Sequence, residues 1–258
     1  MFQNSLKRKM KSGQTVFGTF LVINSPDIVE IVALSSYDFV IIDTEHGPLS
    51  IESTQHLIRA AELRGITPIT RTTNALETTI LRSLDVGAHG IQVPQVNDYK
   101  TAKTLIQAAK YFPLGNRGLA MPRSADYGTL DPITYFQAAN EETLIVVHCE
   151  NTQGLENLEE IVTLPEIDVV FLGPFDMSQS LGIPGQIHHP AMDEVVEKVI
   201  GITKKAGKAA GVFVTDGKQA QLRARQGFQY IAIGMDTIFL SKIYKQELIA
   251  ATGNVTTK

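Results

Sequence analysis

The chain has 258 residues, of which 43% are hydrophobic and 19% are charged, and its formal net charge is −4. Because there is no basic surplus, nucleic acid is not expected as a partner, and no apolar run is long enough to predict a membrane span. The single cysteine, Cys149, excludes an internal disulfide bond and is typical of a reducing compartment.

The chain begins with a basic segment, residues 1–14, that is not followed by the apolar stretch of a secretory signal. We therefore expect a cytoplasmic protein. After this segment, short β-branched runs alternate with amphipathic ones, and most of the short runs are apolar throughout, as in a parallel sheet covered on both faces. The predicted strands are 16–22, 39–43, 67–71, 90–94, 143–150, 168–173, 210–214 and 230–234.

The amphipathic segments between the strands predict helices. Clear examples are 50–65, 98–112 and 192–208. In the first of these, Ser50 is a candidate N-cap and Gly65 a C-terminal stop. A Gly- and Pro-rich stretch, 113–132, predicts a long loop, and loops of this length are either functional or surface excursions.

Eight strands, each followed by a helix, in about 250 residues form the pattern of a (β/α)8 TIM barrel. A doubly wound open sheet is the competing α/β architecture, but its Gly-x-Gly-x-x-Gly turn is absent. No change in composition marks a second domain. We therefore predict one barrel domain over residues 1–258, with the barrel core at about 13–240.

Polar residues collect where the predicted strands end. In a (β/α)8 barrel these ends meet at one rim, which carries the active site. The residues concerned are Asp43, Glu45, His46, Arg71, Gln92, Gln95, Glu150, the segment 173–176 and Asp236. Taken singly, many have a structural interpretation: His46 as a capping or packing histidine, Arg71 as the partner of an acid, and Asp176 as a helix N-cap.

Taken together, the residue types predict a divalent-metal site for a 2-oxo acid. Glu150 and Asp176 follow adjacent strands and supply two hard oxygen ligands, which suit Mg²⁺ or Mn²⁺ better than zinc. Arg71 is then placed to stabilise charge on the keto oxygen, and His46 to carry a proton near neutral pH. A Schiff-base lysine is disfavoured, since no predicted strand contains one and the nearest downstream is Lys218.

Seven motifs occur in chain order: DFVIIDTEHGPLS, PITR, LDVGAHGIQVPQV, GNRG, CENTQGLENLEEI, FLGPFDMSQSLGIPG and YIAIGMD. Together they resemble the HpcH/HpaI family of class II aldolases, over roughly residues 13–240. The resemblance implies a metal-dependent barrel that makes or breaks a carbon–carbon bond beside a 2-oxo acid such as pyruvate or oxaloacetate. It also implies a homo-oligomer, expected to be a hexamer, in which barrels exchange the last helix, here about 236–250.

The resemblance also implies roles for individual residues. Glu150 and Asp176 would bind the metal, Arg71 the keto oxygen, and the backbone at Gly173 and Pro174 the substrate carboxylate, while His46, supported by Asp85, would be the base. The chain departs from the family pattern at Phe20, His148, Phe175 and Phe213, where the family commonly has Trp, Gln, Ala and an aliphatic residue. The two last phenylalanines are expected to narrow the mouth beside the metal, and His148 is a candidate assistant to the base.

Three functions fit these observations. The first is the citrate synthase-type condensation of oxaloacetate with acetyl-CoA in siderophore biosynthesis, because a family branch with this activity resembles the chain in length and in these phenylalanines. Arg117 and Arg123 in the long loop are then candidate contacts for the phosphates of CoA. The alternative is a lyase that cleaves a 4-hydroxy-2-oxo acid to pyruvate and an aldehyde. A non-catalytic barrel that senses a keto acid is disfavoured, since it needs no base.

Overall fold

The eight predicted strands close into a parallel barrel in which each strand pairs with its two neighbours in chain order. The computed structural model describes residues 3–253; residues 1–2 and 254–258, which the predicted domain includes, lie outside the described residues. The strands are β1 Val16–Leu21, β2 Phe39–Asp43, β3 Thr67–Arg71, β4 Gly90–Val93, β5 Leu144–Cys149, β6 Val169–Leu172, β7 Ala209–Val214 and β8 Tyr230–Met235. The predicted (β/α)8 barrel is confirmed.

Helices surround this barrel. They are α1 Ser5–Lys11, α2 Pro26–Leu34, α3 Ile51–Arg64, α4 Glu77–Asp85, α5 Tyr99–Ala109, α6 Pro132–Glu142, α7 Thr152–Glu156, α8 Leu158–Ile161, α9 Pro174–Ser180, α10 Pro190–Lys205, α11 Gly217–Gln226 and α12 Asp236–Thr252. None of the helices within residues 3–253 is long and apolar enough to cross a membrane.

The apolar strand runs are explained by burial on both faces. In β2, Phe39 and Ile41 point into the barrel interior, whereas Val40 and Ile42 pack beneath α2 and α3. Local signals set the helix ends as predicted: the Ser50 hydroxyl accepts a hydrogen bond from the Ser53 N–H, and Gly65 ends α3 with φ of 72°.

The long loop lies at the amino-terminal end of the barrel. A short 3₁₀ turn, Arg123–Gly128, interrupts it. Arg123 fastens this turn to Glu62 of α3 and to the backbone carbonyl of Val86. Both contacts lie beside the starts of β3 and β4, so the loop lies at the end of the barrel opposite to the predicted active site.

The last helix, α12, begins where β8 ends. Asp236 anchors it, because its carboxylate accepts hydrogen bonds from the backbone N–H groups of Val22, Ile23 and Thr237. The rest of α12 is half-buried or exposed, and its exposed apolar side chains are Ile238, Ile243, Tyr244 and Leu248. Exchange of this helix within a hexamer stays a prediction.

Candidate active site

A pocket of about 240 Å³ opens at the carboxyl-terminal ends of the strands. Of the ten predicted site residues, nine line it: His46, Arg71, His148, Glu150, Gly173, Pro174, Phe175, Asp176 and Phe213. They come from the ends of five different strands or from the turns that follow them. The parallel direction of the strands brings these distant residues together.

Arg71, the last residue of β3, is held by two acids. Its Nε donates to Asp43 Oδ1 at 2.8 Å and its Nη2 to Asp43 Oδ2, while Nη1 lies 3.2 Å from Glu45 Oε2. The Phe20 ring lies under the guanidinium, with 4.8 Å from Cζ to the ring centroid. Of the five N–H donors of the guanidinium, two make hydrogen bonds to Asp43 and Nη1 is ion-paired with Glu45, so N–H donors remain for a ligand in the pocket that Arg71 lines.

The turn after β2 is organised by Asp43, which is fully buried. Besides binding Arg71, its Oδ1 accepts hydrogen bonds from the backbone N–H groups of Glu45 and His46, at 3.0 and 3.3 Å. Asp43 therefore orients its neighbours, and its own oxygens are occupied.

His46 stands at the mouth of the pocket. Its side chain is 65% exposed, and its Nε2 lies 4.0 Å from Glu45 Oε2. Burial raises the pKa of the Glu45 carboxyl above its ordinary value, although the Arg71 charge acts in the opposite direction. An exposed imidazole next to a carboxyl group can exchange protons with solvent and with a bound substrate.

Glu150, directly after β5, receives one hydrogen bond on each carboxylate oxygen. The backbone N–H of Gln95 donates to Oε1 at 2.7 Å, and His148 Nδ1 lies 2.7 Å from Oε2. Burial acts to raise the pKa of Glu150, but the hydrogen bonds from His148 and from the Gln95 N–H lower the pKa below the ordinary value. Glu150 is therefore an ionised, fixed carboxylate.

Asp176 lies in the first turn of α9, and the N-cap position belongs to Gly173. Its carboxylate is exposed, and no donor within residues 3–253 binds it, so the N-cap interpretation does not apply. A Cβ built on Gly173 would lie 3.2 Å from Glu150 Oε2 and 3.8 Å from Asp176 Oδ2. The two carboxylates therefore face one small space, which only a glycine leaves open.

This arrangement fits a hard divalent cation. Within residues 3–253 no three His, Cys, Asp or Glu side chains form a metal-binding group. Two carboxylates with an open side are instead the donor set for Mg²⁺ or Mn²⁺, which keep several positions for water and substrate. Glu150 and Asp176 are the residues that would hold the ion.

Four phenylalanines form the aromatic wall of the pocket: Phe20, Phe171, Phe175 and Phe213. The ring centroid of Phe213 lies 5.8 Å from that of Phe20 and 6.0 Å from that of Phe175, and Phe20 in turn lies 6.2 Å from Phe171. Phe175 is exposed at the rim. A bound substrate therefore meets both charged groups and apolar rings.

Asp85 is the predicted site residue that does not reach the pocket. It is the last residue of α4, and this helix runs back from the end of β3 to the start of β4. Asp85 therefore lies at the amino-terminal end of the barrel, where Arg117 donates to it at 2.7 Å. Within one chain Asp85 therefore does not reach His46, and the support of His46 by Asp85 stays a prediction.

The same contact corrects the predicted CoA contacts. Arg117 is buried against Asp85 and the Tyr111 ring, and Arg123 binds Glu62. Both arginines lie at the end of the barrel opposite to the pocket, so neither can meet the phosphates of a CoA bound there.

Other reactive side chains also lie outside the pocket. Lys218 lies at the start of α11 and does not line it. Burial lowers the pKa of Lys110 to about 7, but this amine binds the carbonyls of Asn140 and Thr143 just before β5, at the amino-terminal end. Burial raises the pKa of Cys149 to about 12, so its thiol is unreactive at neutral pH.

Sequence reasoning missed the links between site residues. Gln92, noted only as a polar strand end, binds both His148 and the hydroxyl of Tyr230. A glutamine in the apolar run GIQVP was the available signal, since a buried amide requires partners. No pattern pointed to the backbone N–H of Gln95, which depends on a positive φ of 55°.

Comparisons with known proteins find a matching family model and similar enzymes. A family model described as HpcH/HpaI aldolase/citrate lyase matches residues 16–242. A 2-keto-3-deoxy-L-rhamnonate aldolase of Salmonella paratyphi A is 33% identical over 251 residues, which cover 96% of this chain and 93% of the relative. The enzyme of that name from Klebsiella pneumoniae is 33% identical over 250 residues, with the same coverage.

Two solved structures are also similar to this chain in sequence and fold. Citrate synthase SbnG is 31% identical, with a TM-score of 0.88, and the match covers 96% of this chain and 98% of that one. An HpcH/HpaI aldolase/citrate lyase family protein from Burkholderia cenocepacia is 28% identical, with a TM-score of 0.92 and coverage of 96% and 99%.

Proposed function

The chain belongs to the HpcH/HpaI aldolase/citrate lyase family of enzymes, and we propose that it is a divalent-metal-dependent aldolase that cleaves a 4-hydroxy-2-oxo acid to pyruvate and an aldehyde. The observation that carries this proposal is the pocket that Arg71, His46, Glu150 and Asp176 share. The comparisons favour this alternative over the citrate synthase that the sequence analysis placed first, because the curated relatives at 33% identity are aldolases.

The residues of the pocket divide the chemistry between them. Held by Glu150 and Asp176, Mg²⁺ or Mn²⁺ would supply a Lewis acid that polarises the keto oxygen. The N–H donors of Arg71 that Asp43 does not engage would stabilise the negative charge that collects on the same oxygen. Asp43 keeps the guanidinium in place, so this donor pair needs no reorganisation when the charge forms.

His46 moves the proton. It takes the hydrogen of the C4 hydroxyl, the C3–C4 bond breaks as the aldehyde carbonyl forms, and the electron pair is delocalised onto the keto oxygen. A proton then returns to C3 and gives pyruvate.

The substrate carboxylate is received at the start of α9, where Pro174 has no N–H and Gly173 N–H binds the Cys149 carbonyl. The donors there are the backbone N–H groups of Phe175 and Asp176.

The aromatic wall sets the substrate class. Phe20, Phe175 and Phe213 offer no hydrogen-bond partner to hydroxyl groups, so a polyhydroxylated aldehyde would lose water contacts without compensation. The aldehyde half is therefore expected to be short or apolar. Phe213→Ala should widen the pocket, and kcat/KM for longer aldehydes should rise relative to that for short ones.

Citrate-forming condensation of oxaloacetate with acetyl-CoA is the second candidate. The similarity in fold to citrate synthase SbnG, at 31% identity, and the narrow aromatic pocket favour it. A substrate panel separates the two. Pyruvate plus short aldehydes tests the aldolase, and oxaloacetate plus acetyl-CoA, followed by free thiol release, tests the synthase. Thiol release without aldol turnover would reject the aldolase proposal.

Metal dependence is tested through Asp176. Asp176→Asn should abolish turnover and weaken Mn²⁺ binding while the protein stays folded. Asp193→Asn is the matched control, since Asp193 also lies exposed in the first turn of a helix, α10. Full activity of the wild type in EDTA, or a borohydride-trapped lysine adduct, would overturn the metal mechanism. Binding of pyruvate without turnover of any aldol would favour a sensing protein.

A further inference from the structure

A chain of hydrogen bonds runs through the barrel interior to Glu150. Tyr230 in β8 donates its hydroxyl hydrogen to Gln92 Oε1 at 3.1 Å, and Gln92 Nε2 lies 2.8 Å from His148 Nε2. His148 Nδ1 then lies 2.7 Å from Glu150 Oε2. All four side chains are buried, with at most 4% of their surface exposed. The proposed reaction requires neither Tyr230 nor Gln92.

The chemistry of the groups gives this chain one direction. With Oε1 accepting from Tyr230, the end of the Gln92 amide that faces His148 is the NH₂ group, which only donates. His148 Nε2 must therefore carry a lone pair, and the ring proton must lie on Nδ1, where it points at Glu150. The reverse tautomer would place one N–H against another and a lone pair against a carboxylate.

Packing fixes the ring as well. The imidazole of His148 stacks on Phe171, with ring centroids 5.0 Å apart and an interplanar angle of 28°. Phe171 also lies edge-on to Tyr230, at 5.9 Å. Tyr230 at the start of the hydrogen-bond chain and His148 in its middle therefore pack against the same side chain, Phe171.

We propose that Tyr230, Gln92 and His148 form a one-way hydrogen-bond chain that fixes the Nδ1–H tautomer of His148 and so orients the Glu150 carboxylate for metal binding. His148 is then a positioning residue, and the role of proton carrier falls to His46 alone. The orientation of Glu150 for a metal rests on the proposed function; the tautomer does not. Outer partners of this kind typically change metal affinity by about 10- to 100-fold.

The tautomer can be read without metal or substrate. Long-range proton–nitrogen NMR spectra of the ¹⁵N-labelled, metal-free protein should show His148 with a pyrrole-type Nδ1 and a pyridine-type Nε2. Tyr230→Phe removes the first donor and frees the Gln92 amide to turn its oxygen towards His148, so a proton should then appear on Nε2 while Glu150 keeps the one on Nδ1. A wild-type His148 that is protonated on Nε2, alone or together with Nδ1, would overturn the proposal.

Mn²⁺ titration tests the positioning role. His148→Leu should weaken Mn²⁺ binding at least about tenfold. His148→Asn keeps an N–H donor near the place of Nδ1 and should restore most of the affinity. Equal affinities of the wild type and His148→Leu would reject the positioning role. A wild type that binds no metal would instead reject the proposed function, and with it the role in metal binding, while the NMR result would still decide the tautomer.

Discussion

Replacement of Arg71 by lysine separates catalysis from stability. Lysine keeps the charge but carries its donors on a single nitrogen, so it cannot reproduce the two parallel bonds that Nε and Nη2 make to Asp43. Loss of one charge-assisted hydrogen bond costs about 1.5–3 kcal/mol. A domain with a stability of about 5–15 kcal/mol stays folded after such a loss.

The effect on turnover should be larger. Because Arg71 lines the pocket and is proposed to stabilise charge on the keto oxygen, Arg71→Lys should lower kcat by about 100-fold or more, as removal of an oxyanion donor does. Mn²⁺ affinity should not change, since Arg71 is not a metal ligand. The assays are kcat at saturating metal and the free energy of unfolding from urea titration.

Arg64→Lys is the matched control. Arg64 also binds one carboxylate through Nε and Nη2, that of Glu30, but this pair lies on the surface. Its replacement should change stability by less than about 1 kcal/mol and leave kcat unchanged. The reasoning is refuted if Arg71→Lys turns over within a few-fold of the wild type while its stability falls, since Arg71 would then be a structural ion pair.

Three further predictions concern other parts of the barrel. Gly173→Ala should weaken Mn²⁺ binding by about tenfold or more, because its Cβ would lie 3.0 Å from Glu150 Cβ and fill the space between the carboxylates. Gly201→Ala is the comparison, since nothing lies within 4 Å of a Cβ there. It should stabilise α10 by about 0.5–1 kcal/mol in thermal unfolding. Lys110→Met should remove a pH dependence of the free energy of unfolding. Burial lowers the pKa of Lys110 from 10.5 to about 7, so between these pH values the unfolded chain binds a proton that the folded chain does not. The stability of the wild type relative to the variant should therefore rise with pH, by up to about 1.4 kcal/mol per pH unit. Phe213→Ala should shift kcat/KM towards longer aldehydes in the substrate panel, and an unchanged preference would mean that the aromatic wall does not contact the aldehyde.

Much of the fold could be predicted because its signals are local. The bounds of β2 and β3 match the predicted 39–43 and 67–71, and the caps at Ser50 and Gly65 lie where the sequence placed them. Apolar runs of four to six residues, separated by capped helices, leave few architectures other than a parallel barrel. The sequence does not decide whether the long loop, 113–132, is functional or a surface excursion, because the end of the barrel on which it lies is not a local property.

The location of the candidate active site also follows from the sequence. Once the strands are parallel, their carboxyl ends share one rim, so residues as far apart as His46 and Asp176 must meet. Asp85, whose role the resemblance implies, lies outside this rim within one chain. A residue at the end of a helix that returns to the next strand belongs to the opposite rim.

What the sequence alone determined is therefore the order of the elements and the rim on which each polar residue lies. Tertiary structure decided which of these side chains touch. The bidentate pair of Arg71 with Asp43 depends on the register of β2 against β3. The chain from Tyr230 through Gln92 and His148 crosses the barrel interior, so it depends on barrel closure and on the side-chain rotamers that packing selects. These are non-local quantities, and no pattern of neighbouring residues encodes them.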